Sequence, residues 1–199
     1  MNYLSLNEMQ VDVIDVIHAT PPLPEAILVG HLFDQAARPQ MDATRARLAQ
    51  ALLDWTTAGL AALDMPAAPT MRCLAREIAP GDGPSRMFGG GTASPMAAGF
   101  ANAAIAHLRE IDDAHRAAML HPGVVAITPV LALAPVLGLT HAQVARAIVA
   151  GYEVALRLGE ALGARHAAIF HATATAGAVG AAASAGMALG LNAPRMHHA

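Results

Sequence analysis

The sequence contains no lysine: all 12 of its Lys-plus-Arg positions are arginine. That excludes Schiff-base chemistry, a lysine general base and a lysine clamp on a carboxylate within this chain. Charge of either sign is scarce. Asp, Glu, Lys and Arg make up 14% of the 199 residues, against about a quarter in an ordinary globular domain. The formal net charge is −3 and there is no basic run, so a nucleic-acid partner is not expected. The one cysteine, Cys73, cannot close an internal disulfide, which fits a reducing compartment; a buried, inert thiol is expected there. The N-terminus MNYLSLNEMQVDVIDV carries acids early and lacks the basic-then-apolar order of a secretory signal. A cytoplasmic location is expected.

Aromatics are also rare, at 4%, while hydrophobic residues reach 55%. The bulk is Ala, Leu, Val, Gly and Met. Such a chain favours closely packed helices, because Ala and Leu are strong helix formers and small side chains let helix axes approach. Residues 117–145 and 167–194 carry no charge and are long enough to span a bilayer. Both are broken by His, Thr, Pro and Gly and lack flanking basic or aromatic belts. Buried helices, and no membrane partner, are expected.

Residues 1–41 look irregular apart from a short helix from Pro24 to about Ala37, entered through prolines. Asp42 then caps an amphipathic helix whose face carries Leu48, Leu52, Trp55, Gly59 and Ala62. The turn residues of 64–92 predict a loop. Within it FGGGT lacks the Lys-Ser/Thr of a phosphate loop and reads as a turn. Ser94-Pro95 starts a helix expected to run over 95–115. His121-Pro122-Gly123 starts another, which Pro129 and Pro135 should limit to short or kinked pieces. Thr140 and Gln143 form a capping box, and Gly163 can end that helix. A last Ala- and Gly-rich helix ends at Gly190. Asn192 then opens a further helix, with only residues 193–199 left, so a truncated C-terminus is expected. No strand signal exceeds a few residues. The fold class expected is all-α, a bundle-like helical domain over 42–199.

Polar groups concentrate in residues 110–123, EIDDAHRAAMLHPG. On a continuous helix His107 and Glu110 would share one face, and Arg109, Asp112 or Asp113, and Arg116 another. His121 and His171 fall at helix starts, where backbone N–H groups favour anions. Together these groups suit a small carboxylate: arginine and helix termini hold it, and a histidine moves a proton beside it. Asp112, His115 and His121 are acceptable metal ligands, but no two histidines have the i, i+4 spacing of a zinc helix. No metal and no cofactor are expected. A hydrolase triad is excluded by the lack of G-x-S-x-G, since Ser184 sits among alanines.

FANAAIAHLREIDDAHRAAMLHPG, AIVAGYEVALRLG and FHATATAGAVGAAASAGMALGL resemble the N-terminal helical domain of the MmgE/PrpD (2-methylcitrate dehydratase) family. That family also includes cis-aconitate decarboxylase and an iminodisuccinate epimerase. ALLDWTTAGLAAL is similar to its early helix. The resemblance covers roughly 42–199 and implies a homodimer. Its downstream lysines and α/β lid domain lie beyond this sequence. It places the catalytic residues on His121, His171, Asp113 and Glu110, the last often Asp in the family. Asp112, His115, Arg116 and Thr173 are the substrate-binding candidates beside them. Ala114 replaces a frequent threonine. The function implied is a lyase that abstracts a proton alpha to a carboxylate of a small di- or tricarboxylic acid and expels water or carbon dioxide. Two alternatives stay open: an epimerase of the same family, and a catalytically silent helical interaction module.

Overall fold

A computed structural model describes residues 24–37 and 42–199; the remainder of the expected irregular segment lies outside the described residues. Among these, eight helices and one two-stranded ladder occur: α1 Pro24–Ala37, α2 Asp42–Ala61, α3 Ala67–Ile78, β1 Ser85–Arg86, β2 Thr92–Ala93, α4 Pro95–His107, α5 Pro122–Leu137, α6 His141–Ala167, α7 Ala172–Ala188 and α8 Ala193–His197. The fold is all-α. No helix of the described residues is long and apolar enough to cross a membrane.

The core is largely alanine. Ala97, Ala98, Ala101, Ala106, Ala126, Ala155 and Ala176 are fully buried, with Ile105, Ile127, Val130 and Ile148 as the larger groups between them. Helices α5, α6 and α7 form the centre. Their axes come close at glycines: a Cβ on Gly151 of α6 would stand 2.8 Å from the Cβ atoms of both Ala126 and Ser184. The stripe of α2 behaves as its spacing indicates, with Leu48, Leu52 and Trp55 packing on α5 and α6 residues and Ala62 buried. The Trp55 indole N–H donates to Thr128 Oγ1 at 2.9 Å. Gly59 leaves room for the Phe88 ring, which a side chain there would overlap.

Three expectations are corrected. First, 64–92 is not all loop, because α3 spans Ala67–Ile78. Pro69 lies in its first turn, where a missing N–H costs nothing, and Ala68 and Ala75 bury one face. Helix α3 also leaves Cys73 exposed rather than buried. Second, α5 is one helix of 16 residues with Pro129 and Pro135 inside it. Each proline withholds one i→i−4 amide, yet burial of Val124, Ile127 and Val130 holds the helix together. The Ser85 hydroxyl donates to the Ala132 carbonyl at 2.6 Å, in the turn that Pro135 disrupts. Third, α4 stops at His107, eight residues short of the expected end. The Gly163 signal holds: at φ 65° and ψ −169° it ends the first helical stretch of α6, and a second short stretch runs on to Ala167.

The remaining helix signals hold. Ser94 Oγ accepts from Ala97 N–H, Thr140 and Gln143 form the reciprocal capping box, and Asn192 accepts from Arg195 N–H. The FGGGT run is the turn of the β1–β2 hairpin. Gly89, Gly90 and Gly91 all take positive φ there, which a side chain would resist.

Candidate functional site

The segment 108–120 is an ordered loop, and its side chains explain why the helix ends. Glu110 (φ 49°) and Met119 (φ 55°) take left-handed backbone, and His115 N–H closes the loop on Leu120 O at 2.9 Å. The two adjacent aspartates then point to different partners. Asp112 turns back to the last residue of α4: His107 Nδ1 lies 3.0 and 3.1 Å from its two oxygens. Asp113 turns forward to the first turn of α5, accepting Gly123 N–H at 2.8 Å on one oxygen and the Tyr152 hydroxyl at 2.7 Å on the other. Its own N–H donates to Asp54 Oδ2 at 2.8 Å. These tertiary bonds outweigh one more helical turn.

Asp112 is the centre of the histidine cluster. Its side chain is 1% exposed. His121 Nδ1 lies 3.5 Å from Asp112 Oδ2 and 3.3 Å from the Asp112 carbonyl oxygen. The rings of His107 and His121 meet edge to face at 4.8 Å, and His171 stands 6.2 Å from His107. His121 N–H donates to Thr173 Oγ1 at 3.1 Å, which pins the start of α5 to the start of α7 and so brings His171 to the same corner. An Nδ1–H given to the carboxylate leaves Nε2 with the free lone pair, the arrangement of a general base.

Of the residues singled out in the sequence, His121, His171, Asp112 and Thr173 converge here. Asp113 lies one residue away but faces the α5 amide and Tyr152, not an imidazole. Glu110 is exposed and outside the cluster, because the helix that would have aligned it with His107 has ended. His115 accepts Ala118 N–H at 3.2 Å and lies 3.8 Å from Glu160, away from Asp112. Arg116 is exposed. Arg109 is engaged elsewhere, donating to Asp64 at 2.6 Å and to Ala61 O at 2.7 Å; this guanidinium holds the Asp64 carboxyl below its usual range.

Two participants had no functional signal in the sequence. Asp54 lies half-buried on α2 beside Trp55, and Tyr152 lies in an otherwise aliphatic stretch; His107 figures there, but only as part of a helix face with Glu110. Burial raises the Asp113 carboxyl above its ordinary value, against the pull of the Tyr152 and Gly123 hydrogen bonds. Burial and the Asp113 charge together push the Tyr152 phenol up, so it remains a proton donor at neutral pH. Tyr152 also lines a cavity of about 180 Å³ with Arg47, Leu48 and Glu153. A larger one, about 320 Å³, lies between Trp55, Phe88, Arg86 and Pro135. No histidine lines either. The cluster has its own access to solvent, with His171 exposed and the His107 and His121 side chains 25% and 24% exposed.

Two histidines, His107 and His121, thus face one buried carboxylate in an all-helical domain, with His171 beside His107. The chain belongs to the MmgE/PrpD N-terminal domain family, whose sequence model matches residues 31–199. No curated protein matches it.

Proposed function

We propose that this domain carries the proton-transfer groups of a lyase of the 2-methylcitrate dehydratase type, acting on a small di- or tricarboxylic acid. The observation that supports it is the convergence of His107 and His121 on Asp112, with the His171 ring 6.2 Å from that of His107. One imidazole takes the proton alpha to a substrate carboxylate. The electron pair left on carbon forms the double bond as hydroxide departs, and a second, protonated imidazole delivers the proton that makes it water. Asp112 orients the rings. His121 and His171 each precede a helix, so two helix N-termini face the same corner and favour the anionic substrate. Arg116 is the nearest loop cation in sequence. The chemistry requires no cofactor. An epimerase would use the same abstraction and return the proton to the opposite face. A homodimer and a cytoplasmic location belong to the same proposal.

Isothermal titration with 2-methylcitrate, citrate and cis-aconitate tests it. Saturable binding is expected for the wild type, and its loss in a folded His121→Ala, His171→Ala double variant. A folded wild type that binds none of the three acids overturns the proposal. It would favour a silent interaction module, for which the solvent-facing Met96 (71% exposed) and Ile169 (77%) are the supporting observation.

A further inference from the structure

We infer that His107, Asp112 and His121 form a binding site for a divalent ion of the zinc type, and that the ion and the proton-transfer chemistry compete for the same side chains. Two imidazoles and one carboxylate are a donor set that zinc-type ions take readily, with a fourth position left open. One ligand atom from each residue lies within 4.8 Å of the others. The two edges to Asp112 Oδ2 measure 3.1 Å from His107 Nδ1 and 3.5 Å from His121 Nδ1. A tetrahedral ion with bonds of about 2.0–2.1 Å sets such edges at roughly 3.4 Å. So these two contacts already span the right distance, and only the histidine–histidine edge need contract.

Three further features favour the ion. The Asp112 carboxylate is almost wholly withdrawn from water, so a cation on it meets little competing solvation. Both histidines present Nδ1 to it from rigid supports, His107 from the last turn of α4 and His121 from the residue before α5. The His171 ring stands 6.2 Å from that of His107, and the three donors leave a fourth position for water or a carboxylate. Sequence spacing concealed this set because the donors come from a helix end, a loop and a helix start, not from one helix face.

Ligation takes the Nδ1 lone pair, so each neutral ring then carries its proton on Nε2. A ligated imidazole no longer has the lone pair that abstracts a proton. The site itself stands on these three residues alone; only its inhibitory consequence rests on the lyase reading.

Titration of the metal-free chain with ZnCl2, in a His197→Ala, His198→Ala background that removes the paired histidines of the tail, tests the site. One-to-one binding at about micromolar affinity or tighter is expected. His107→Gln and Asp112→Asn should each weaken it by on the order of 100-fold, and MgCl2 should not bind. Retained helical circular dichroism and melting cooperativity show that the variants fold. Absence of zinc binding, or binding unchanged in both folded variants, overturns the inference. Acid titrations repeated in EDTA examine the lyase proposal alone, so either can fail without the other. Acid binding that is unaffected by a saturated zinc site overturns the competition.

Discussion

Gly151→Ala is expected to destabilise the domain by about 2 kcal/mol, whereas Gly30→Ala stabilises it by about 0.5–1 kcal/mol. The chemical change is the same, one methyl on a helical glycine. It gains up to about 1 kcal/mol in helix propensity at either site. At Gly30 a Cβ meets nothing within 4 Å among the described residues, so the gain stands. At Gly151 it meets the Cβ atoms of Ala126 and Ser184 at 2.8 Å and Ala126 Cα at 3.1 Å. Those atoms belong to α5 and α7, which sit at van der Waals distance from α6 already. Neither is the end of a flexible side chain, so two helices must separate, and overlap outweighs propensity. Gly180→Ala repeats the case from the α7 side, against Ala155 Cβ at 2.6 Å and Gly151 O at 2.9 Å. Urea denaturation of the three variants measures the differences. A neutral Gly151→Ala would show that α5, α6 and α7 are not packed this closely.

The second large effect concerns Asp113, and its sign depends on the replacement. Asp113→Ala strips the acceptors from the Gly123 amide and the Tyr152 hydroxyl and should cost roughly 2–5 kcal/mol for two poorly solvated donors. Asp113→Asn keeps one carbonyl acceptor for Gly123 and lets its amide donate to the Tyr152 oxygen, so it should cost far less. The two also differ in pH dependence. Burial raises the Asp113 carboxyl above its ordinary value, so between that value and the raised one the folded state binds more protons than the unfolded state. Stability from this group is therefore greatest at acid pH and declines as pH rises through the raised value. Asp113→Asn removes that decline. Its stability relative to wild type should improve from pH 4 to pH 7, as read by chemical denaturation at each pH. An unchanged difference across that range would show that Asp113 is not held in a poorly solvated place.

Most of the scaffold was legible because its signals are local. Ser94, Thr140 and Asn192 cap helices through bonds to residues three positions away, and period alone put Leu48, Leu52 and Trp55 on one face. What escaped depends on contacts between distant segments. Pro129 and Pro135 are breakers by local rules, but the burial of α5 overrides them. Pro69 was read as a loop residue because its place in a first turn cannot be known until the helix start is.

The site divides along the same line. His121 and His171 stood out because each precedes a helix. The division of labour between Asp112 and Asp113 did not. Their backbone positions are adjacent, and only the tertiary partners, His107 on one side and Gly123 with Tyr152 on the other, separate them. Asp54 was hidden for a related reason, since an acid beside a buried tryptophan on an amphipathic helix reads as the solvated edge.

Trp55 is the chain's one tryptophan. Its ring lies 4.7 Å from that of Phe88, its N–H is held by Thr128 of α5, and its chain neighbour Asp54 holds the loop that carries Asp112 and Asp113. Near-ultraviolet emission excited at the indole band therefore reports one joint of the molecule, where α2 meets α5 and the histidine-bearing loop. Events at the histidines reach this chromophore through two backbone-anchored residues, and the protein carries its own optical probe without a label.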